Sequence, residues 1–359
     1  MGTLVRKKLI IGAAAIVLLL GSLYVLQRLL MPKYVSGIVE GSLIGEYYKE
    51  KRKDFDVIFL GDCEVYENFS PVTLWEKFGI TSYIRGSAQQ LIWQSYYLLE
   101  ETLKYEKPKV VVFNVLAMQY NEPQKEEYNR MTLDGMKLSA TKLKSIQASM
   151  MKSEHLVDYL APLLRFHSRW DQLSEDDFTN LFGKEKLFHN GYYMRVDVKP
   201  AGRVPRAPRL PDYRFGSNAY SYLDRLTELC KENGIQLVLV KAPTIYPHWY
   251  DEWDTQMEQY AAAHDLTYIN FLKHMDDAGI DLQTDTYDAG LHLNVYGAEK
   301  LAAYFGAFLA DSYRLQDHRT DDTWTGIWQK KIDFYDRMKQ DQLDELAKYG
   351  YLKRYKAET

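Results

Sequence analysis

Residues 56–70 read DVIFLGDCEVYENFS, and this stretch decides the fold of the chain. Residues 57–60 are apolar and rich in β-forming side chains, and Gly61-Asp62 is a turn signal. A buried strand that breaks at a glycine and leads into a helix places the next side chain, Cys63, at the carboxyl end of the strand. Because ligands of open α/β sheets bind at that edge, the stretch predicts an α/β fold with Cys63 at its functional edge.

A second informative stretch lies far downstream, where residues 287–297 read YDAGLHLNVYG just ahead of an amphipathic helix. A nucleophile needs a base to take its proton and an acid to orient that base, which His292 and Asp288 would supply. Asp285 is an alternative acid. We prefer Asp288 because the flexible Ala289-Gly290 pair can accommodate the number of residues between this acid and His292. The predicted catalytic residues are therefore Cys63, His292 and Asp288.

The two stretches resemble the first and last blocks of the SGNH/GDSL hydrolase superfamily, which are Gly-Asp-Ser and Asp-x-x-His. Here Cys63 stands in place of the serine, and one extra residue separates Asp288 from His292. The resemblance covers residues 54–313 and implies a flavodoxin-like, three-layer α/β fold with a central parallel sheet. Together with an apolar amino-terminal segment, it is similar to the membrane-tethered, DltD-like proteins that modify envelope polymers such as teichoic acid.

The resemblance also implies an oxyanion site. In the family a glycine of the second block supplies a backbone N–H, and Gly86 stands at that place, where it would act with the N–H of Cys63. The third block, Gly-x-Asn-Asp, is absent, so Asn114 does not match the family's asparagine offset. The further residues predicted to bind the oxyanion or the substrate are Asp62, Arg85, Gln89, Asn114 and His248.

Composition sets limits on the function. The chain has 359 residues and a formal net charge of −4, which argues against nucleic-acid binding. Its two cysteines, Cys63 and Cys230, do not form a disulfide framework. No residues show metal-ligand spacing and no phosphate-binding loop occurs, so the sequence implies neither a metal nor a cofactor.

The amino-terminal segment predicts a membrane anchor. Residues 9–27 form an uncharged, mostly apolar run of roughly 19 residues, close to the length that spans a bilayer. Arg6, Lys7 and Lys8 precede it, so the positive-inside rule leaves the amino terminus in the cytoplasm and the body outside. A cleaved signal peptide is the alternative. No small-x-small cleavage site follows the run, which favours an uncleaved, single-pass anchor in the cell membrane.

We expect four parts along the chain: a cytoplasmic stub and anchor at 1–31, a solvated stalk at 32–53, a catalytic domain at 54–313, and a helical tail at 314–359. A helical insertion, at about residues 125–215, interrupts the catalytic domain. It carries Arg169 beside Trp170, a pair that suits an anionic or sugar ligand, and the Pro- and Arg-rich loop 199–214. That loop is either a solvated connector or a basic flap over an anionic polymer. The tail is either a packing arm or a docking element.

The predicted function is an extracytoplasmic acyltransferase. We expect it to move an acetyl or D-alanyl group to hydroxyls of an envelope polysaccharide or teichoic acid through a Cys63 thioester, with a thiol pKa lowered by the helix start and the imidazole. The resemblance implies two partners: a multi-pass membrane O-acyltransferase and the polymer acceptor. The alternatives are an esterase that deacetylates envelope glycans and an inactive, membrane-tethered binding or scaffold protein.

Overall fold

The computed structural model describes residues 2–31, 42–182, 188–203 and 206–353. Its strands are β1 (Val57–Gly61), β2 (Ser82–Gly86), β3 (Val110–Asn114), β4 (Phe188–His189), β5 (Tyr192–Tyr193), β6 (Gln236–Lys241) and β7 (Thr267–Asn270). Its helices are α1 (Thr3–Leu30), α2 (Ser42–Glu46), α3 (Cys63–Tyr66), α4 (Pro71–Phe78), α5 (Ile92–Thr102), α6 (Glu126–Leu133), α7 (Ala140–Ser149), α8 (Leu156–Leu160), α9 (Pro162–Phe166), α10 (Glu175–Phe182), α11 (Ser217–Glu232), α12 (Asp251–His264), α13 (Val295–Tyr313) and α14 (Asp322–Tyr349).

Five parallel strands form the central sheet, in the order β2-β1-β3-β6-β7. Strands β1 and β3 are apolar along almost their whole length and every residue in them is buried, as expected of parallel strands covered on both faces. The order is that of flavodoxin-like sheets, in which the chain reverses direction across the sheet between β1 and β3. The predicted α/β fold with a central parallel sheet is confirmed.

Helices cover both faces of this sheet and give three layers. Helices α4 and α13 pack against each other on one face. On the other face, α11 packs on α5, and the Thr227 hydroxyl of α11 lies 3.1 Å from the Tyr260 hydroxyl of α12. Because β1, β3 and β6 are parallel neighbours, their carboxyl ends lie side by side at one edge of the sheet.

A mostly helical insertion separates β3 from β6. It contains α6 to α10 and the antiparallel pair β4-β5. Arg165 of α9 binds Glu126 at the start of α6, with 2.9 Å between Nη2 and Oε2. This ion pair joins α9 to the first α-helix of the insertion.

The segment after the anchor differs from the predicted stalk. The last helix decides between the two options for the tail. Leu43, Ile44 and Tyr47 are buried in the core, so the expectation of a solvated stalk is wrong for residues 42–48, where α2 and the following 3₁₀ turn pack on the body. Residues 32–41 lie outside the described part of the chain. Helix α14 packs on α4, with the Trp328 and Trp75 rings stacked at 5.2 Å, so the tail is a packing arm.

Candidate active site

The nucleophile turn begins at Gly61, the last residue of β1. Its φ of 151° lies in a region that side chains disfavour, and a Cβ there would lie 2.5 Å from Val65 Cγ2. Asp62 then caps α3 by accepting a hydrogen bond from the Glu64 N–H at 3.1 Å. From Phe55 to Trp75, Cys63 is the only residue that is partly exposed rather than buried. The fold thus presents one accessible thiol at the carboxyl end of the first strand.

His292 is held by Asp288 at two points. One Asp288 oxygen lies 2.6 Å from His292 Nδ1, and the other accepts the His292 backbone N–H at 2.7 Å. Ala289 and Gly290 between them have positive φ values of 68° and 98°, which lets five residues close this tight loop. Asp285 instead binds the Lys300 ammonium at 2.7 Å. The structure therefore places Asp288, rather than Asp285, as the acid that orients His292.

The Cys63 thiol interacts with the His292 imidazole. Because Nδ1 is engaged by Asp288, the other ring nitrogen, Nε2, is the one left for the sulfur. Nε2 is buried and makes no hydrogen bond of ordinary geometry with the described residues. Thiol, imidazole and carboxylate thus form a continuous series in the order needed for base-assisted attack by sulfur.

A second carboxylate, Glu67, also faces the imidazole. Its Oε2 lies 3.7 Å from His292 Nδ1, and the same oxygen accepts a hydrogen bond from the Tyr287 hydroxyl. Glu67 is one helical turn after Cys63, and its side chain is almost fully buried. The Tyr287 ring lies parallel to the imidazole, with the ring centroids 5.9 Å apart. Two carboxylates therefore share one imidazole, which favours the imidazolium form.

These surroundings raise the pKa of both partners. Burial raises the pKa of the Cys63 thiol, and the interaction with His292 offsets only part of that effect. Burial alone would lower the pKa of His292, but Glu67, the Cys63 sulfur and Asp288 together hold it well above its ordinary value. The predicted lowering of the thiol pKa is wrong, because a helix start and one imidazole do not outweigh desolvation here.

A buried polar network ties the nucleophile turn to the neighbouring strands. Lys241 Nζ, at the end of β6, lies 2.8 Å and 3.0 Å from the two carboxylate oxygens of Glu64. Thr244 donates its hydroxyl to the same carboxylate. The Asn114 amide, at the end of β3, donates to Glu64 at 2.9 Å and to Asp62 at 3.1 Å. These contacts join the ends of β1, β3 and β6 directly beside Cys63.

Three of the predicted substrate contacts are corrected by this geometry. Both hydrogens of the Asn114 amide are used within the buried network, so Asn114 is not an oxyanion donor. Asp62 is 3% exposed and serves as the cap of α3. Arg85 is fully buried against α5, where it donates to the Thr102 hydroxyl at 2.7 Å and lies 3.7 Å from Glu101. All three therefore support the framework and do not meet a substrate.

Gly86, Gln89 and His248 remain predicted contacts. Gly86 pairs with Gly61 in the sheet, and a Cβ on it would lie 2.9 Å from the Gly61 carbonyl oxygen. Its small size is thus required beside the nucleophile turn. Gln89 follows in the next turn, partly exposed, with φ of 49°. The loop that bears His248 is joined to the catalytic loop, because the Ile245 N–H donates to the Gly290 carbonyl at 3.0 Å.

The Pro- and Arg-rich loop also runs along the catalytic loop. The Lys199 N–H donates to the Thr286 carbonyl at 2.9 Å, and the Ala289 N–H donates to the Lys199 carbonyl at 3.0 Å. Four arginines of the loop have exposed side chains: Arg203, Arg206, Arg209 and Arg214. Arg214 pairs with Asp212 of the same loop at 2.7 Å. Residues 204–205 lie outside the described part of the chain. Positive charge is therefore carried on a loop fastened to the segment between Asp288 and His292.

Sequence reasoning missed Glu67, Lys241 and Tyr287 as parts of the site. One signal was available for Lys241, because a charged residue that ends an apolar strand must meet the polar residues that end its neighbours. Glu67 follows Cys63 by four residues, a spacing that puts both on one helical face. Nothing local distinguishes Tyr287 from the other tyrosines of the chain.

No protein-family model matches this chain, and no curated protein matches it. Several solved structures are similar to it, including two from Bacteroides species. One is a candidate acylhydrolase from Bacteroides fragilis, at 11% identity and a TM-score of 0.37, covering 75% of this chain and 95% of that chain. The other is a GDSL-like lipase from Bacteroides thetaiotaomicron, at 12% identity and a TM-score of 0.36, covering 76% of this chain and 100% of that chain. At this level of similarity neither structure assigns an activity to this chain.

Proposed function

We propose that this chain is an acyl-transfer enzyme that carries the acyl group on Cys63 as a thioester. The observation that supports this most directly is the series Asp288–His292–Cys63, in which the imidazole lies 2.6 Å from its orienting carboxylate and faces an accessible thiol. A protein that only binds its ligand has no need for this alignment. A transferase or an esterase needs all of it.

The chemistry proceeds in two balanced steps. In the first, which begins once the thiol–imidazole pair has lost one proton to solvent, Cys63 Sγ attacks the carbonyl carbon of an acyl ester while His292 accepts the thiol proton. The ester oxygen then leaves with that proton, and the acyl group remains on sulfur. In the second, a hydroxyl attacks the thioester while His292 accepts its proton and returns it to the departing sulfur. The Cys63 N–H lies at the first position of α3, where a helix has no internal acceptor for it, so it is suited to bind the oxyanion together with Gly86.

We infer that the acceptor is a hydroxyl-bearing, anionic polymer of the cell envelope, to which an acetyl or D-alanyl group is transferred. The exposed arginines of the loop beside the catalytic segment support an anionic acceptor, because guanidinium groups bind phosphate and carboxylate well. The acyl donor in this proposal is supplied by a multi-pass membrane O-acyltransferase. An esterase that releases the acyl group to water would use the same first step.

We also propose that α1 anchors the enzyme, with the catalytic body on the outer side of the cell membrane. Residues 5–30 of α1 form a segment of 26 residues that is long and apolar enough to span a bilayer, and none of its most apolar window is buried against the rest of the protein. The basic residues before the apolar run favour a cytoplasmic amino terminus.

The test is intact-mass spectrometry of the full-length chain in detergent after incubation with p-nitrophenyl acetate. We expect one acetyl group on the wild type, none on Cys63→Ala, and slow labelling of His292→Ala. Cys230→Ala is the matched control, and it should label like the wild type because Cys230 is buried. An adduct that persists in water but is lost on addition of glycerol or a polyol phosphate would favour transfer, whereas rapid loss in water alone would favour an esterase. Equal labelling of the wild type and Cys63→Ala would refute the thioester proposal.

A further inference from the structure

Large apolar side chains are exposed to an unusual degree in one segment of the insertion. Five of them occur within residues 157–178: Val157 (49% exposed), Leu160 (46%), Leu164 (60%), Trp170 (72%) and Phe178 (48%). Three of them, Leu164, Trp170 and Phe178, lie on elements that contact α1, and we call these three the apolar rim. Single exposed apolar residues are normal on protein surfaces, but a concentration of this kind marks a surface that something covers.

The apolar rim lies where α1 meets the body. Helices α9 and α10 and the 3₁₀ turn His167–Asp171 contact α1, and these elements carry Leu164, Phe178 and Trp170. The Arg169 guanidinium donates to the Leu30 carbonyl at 2.7 Å and also pairs with Asp177 at 3.2 Å. The rim is therefore fastened to the last turn of α1.

The burial of α1 itself shows how far this contact extends. Residues 5–26 of α1 are exposed along their whole length, whereas Leu30 is only 6% exposed. At a rise of about 1.5 Å per residue, the 26 residues from Val5 to Leu30 extend about 39 Å, which exceeds the roughly 30 Å of a hydrocarbon core. The last turn of α1, and with it the apolar rim, would therefore lie at the depth of the lipid headgroups.

The composition of the apolar rim suits that depth. Tryptophan is enriched at membrane–water interfaces, and short amphipathic helices rest there with their apolar side chains toward the acyl chains. Arg165 and Arg169, the cations nearest to the rim in sequence, are occupied by Glu126 and Asp177. The rim thus presents apolar side chains, and the two nearest cations are paired with carboxylates of the protein itself.

We propose that the apolar rim rests in the headgroup region of the same bilayer that α1 spans, so that the body contacts the membrane at two adjoining places. This inference rests on the proposed role of α1 as a membrane span. The insertion leaves the sheet at the carboxyl end of β3, which is the edge that carries Cys63, and the Arg165–Glu126 pair joins α9 to α6, the first α-helix after that point. Contact by the rim therefore restricts how far the catalytic edge can move from the membrane surface.

The experiment measures the surroundings of nitroxide labels on the full-length chain in phosphatidylcholine–phosphatidylglycerol nanodiscs. Labels are attached at Leu164→Cys and Trp170→Cys in a background of Cys63→Ala and Cys230→Ala, so the result does not depend on catalysis. The relaxation caused by oxygen, which partitions into lipid, is compared with that caused by a water-soluble nickel chelate. Leu18→Cys, in the middle of α1, is the control for lipid, and Val198→Cys, which is exposed outside the insertion's helices, is the control for water.

We expect the ratio of oxygen to nickel relaxation at the two rim positions to be at least about threefold higher than at Val198→Cys. A rim that gives the same ratio as the Val198 position would face water, which would overturn the proposal. Protection from both reagents would show that protein, such as a second copy of the chain, covers the rim, and would overturn it as well. A water-like ratio at Leu18→Cys would show that α1 does not span the membrane. That result would overturn the rim proposal as well, while leaving the acyl-transfer proposal intact.

Discussion

Replacement of Glu67 by glutamine tests whether this carboxylate raises the pKa of His292. The change removes a negative charge beside His292 but keeps the size of the side chain and an oxygen that can accept the Tyr287 hydroxyl. Because the carboxylate stabilises the imidazolium form, its removal should lower the pKa of His292. Asp288 is untouched in this variant, so the orientation of the ring should persist.

The magnitude follows from the distance between the charges. Unit charges 3.7 Å apart interact by about 1.1 kcal/mol in bulk water and by about 4.5 kcal/mol at an effective dielectric constant of 20. A change of one in pKa corresponds to about 1.36 kcal/mol. Loss of these two interaction energies would therefore lower the His292 pKa by about 0.8 and by about 3.3, respectively. Since Glu67 is almost fully buried, we expect the His292 pKa to be lower in Glu67→Gln by at least about 1.

The assay is an NMR titration of the His292 Cε1–H in the full-length chain in detergent, with ¹³C-labelled histidine and assignment from His292→Gln. Acylation of Cys63 by p-nitrophenyl acetate is measured over the same pH range. The reactive pair must first lose one proton, so the wild-type rate should rise with pH through a pKa above the ordinary histidine value of about 6.5. In Glu67→Gln this rise should occur at lower pH. At pH values below both His292 pKa values, a pKa that is lower by one should make the variant react about tenfold faster than the wild type.

Glu252→Gln, an exposed position at the start of α12, is the control and should leave the titration unchanged. The reasoning is refuted if the His292 pKa in Glu67→Gln equals that of the wild type while Asp288→Asn lowers it. That result would mean that Glu67 carries no charge in the folded protein, or that solvent screens its interaction with the imidazole.

Two further predictions concern the orienting acid and the buried network. Asp288→Asn should slow acylation of Cys63 by about 10²- to 10⁴-fold at its pH optimum, with an unchanged circular dichroism spectrum, because the ring loses its orienting charge; a loss below about threefold would contradict this role. Lys241→Met should lower the free energy of unfolding by about 3 to 5 kcal/mol, measured by urea denaturation, because it leaves Glu64 buried without its cation. Adding Glu64→Gln should restore much of that loss, and a double variant no more stable than Lys241→Met would count against the ion pair as the cause.

Local patterns in the chain were sufficient for most of the fold. The apolar runs that form β1, β3 and β6 are typical of strands buried on both faces, and the glycine that ends β1 correctly marked the nucleophile turn. Sequence patterns predict helices at 217–232 and 251–264 and a strand at 236–241, and α11, α12 and β6 have these bounds. Such signals are local, because strand length, helix periodicity and turn residues depend on near neighbours along the chain.

The sequence by itself determined the α/β class and the three residues that the structure brings together as Cys63, His292 and Asp288. Tertiary structure alone decided which other polar residues belong to the site. Arg85 and Asn114 lie at the ends of β2 and β3, yet their side chains bind partners on distant segments, whereas Glu67 reaches the imidazole. The pKa of the thiol was likewise undetermined by local sequence, because desolvation depends on how completely the folded chain covers the sulfur, and that is a property of packing rather than of neighbouring residues.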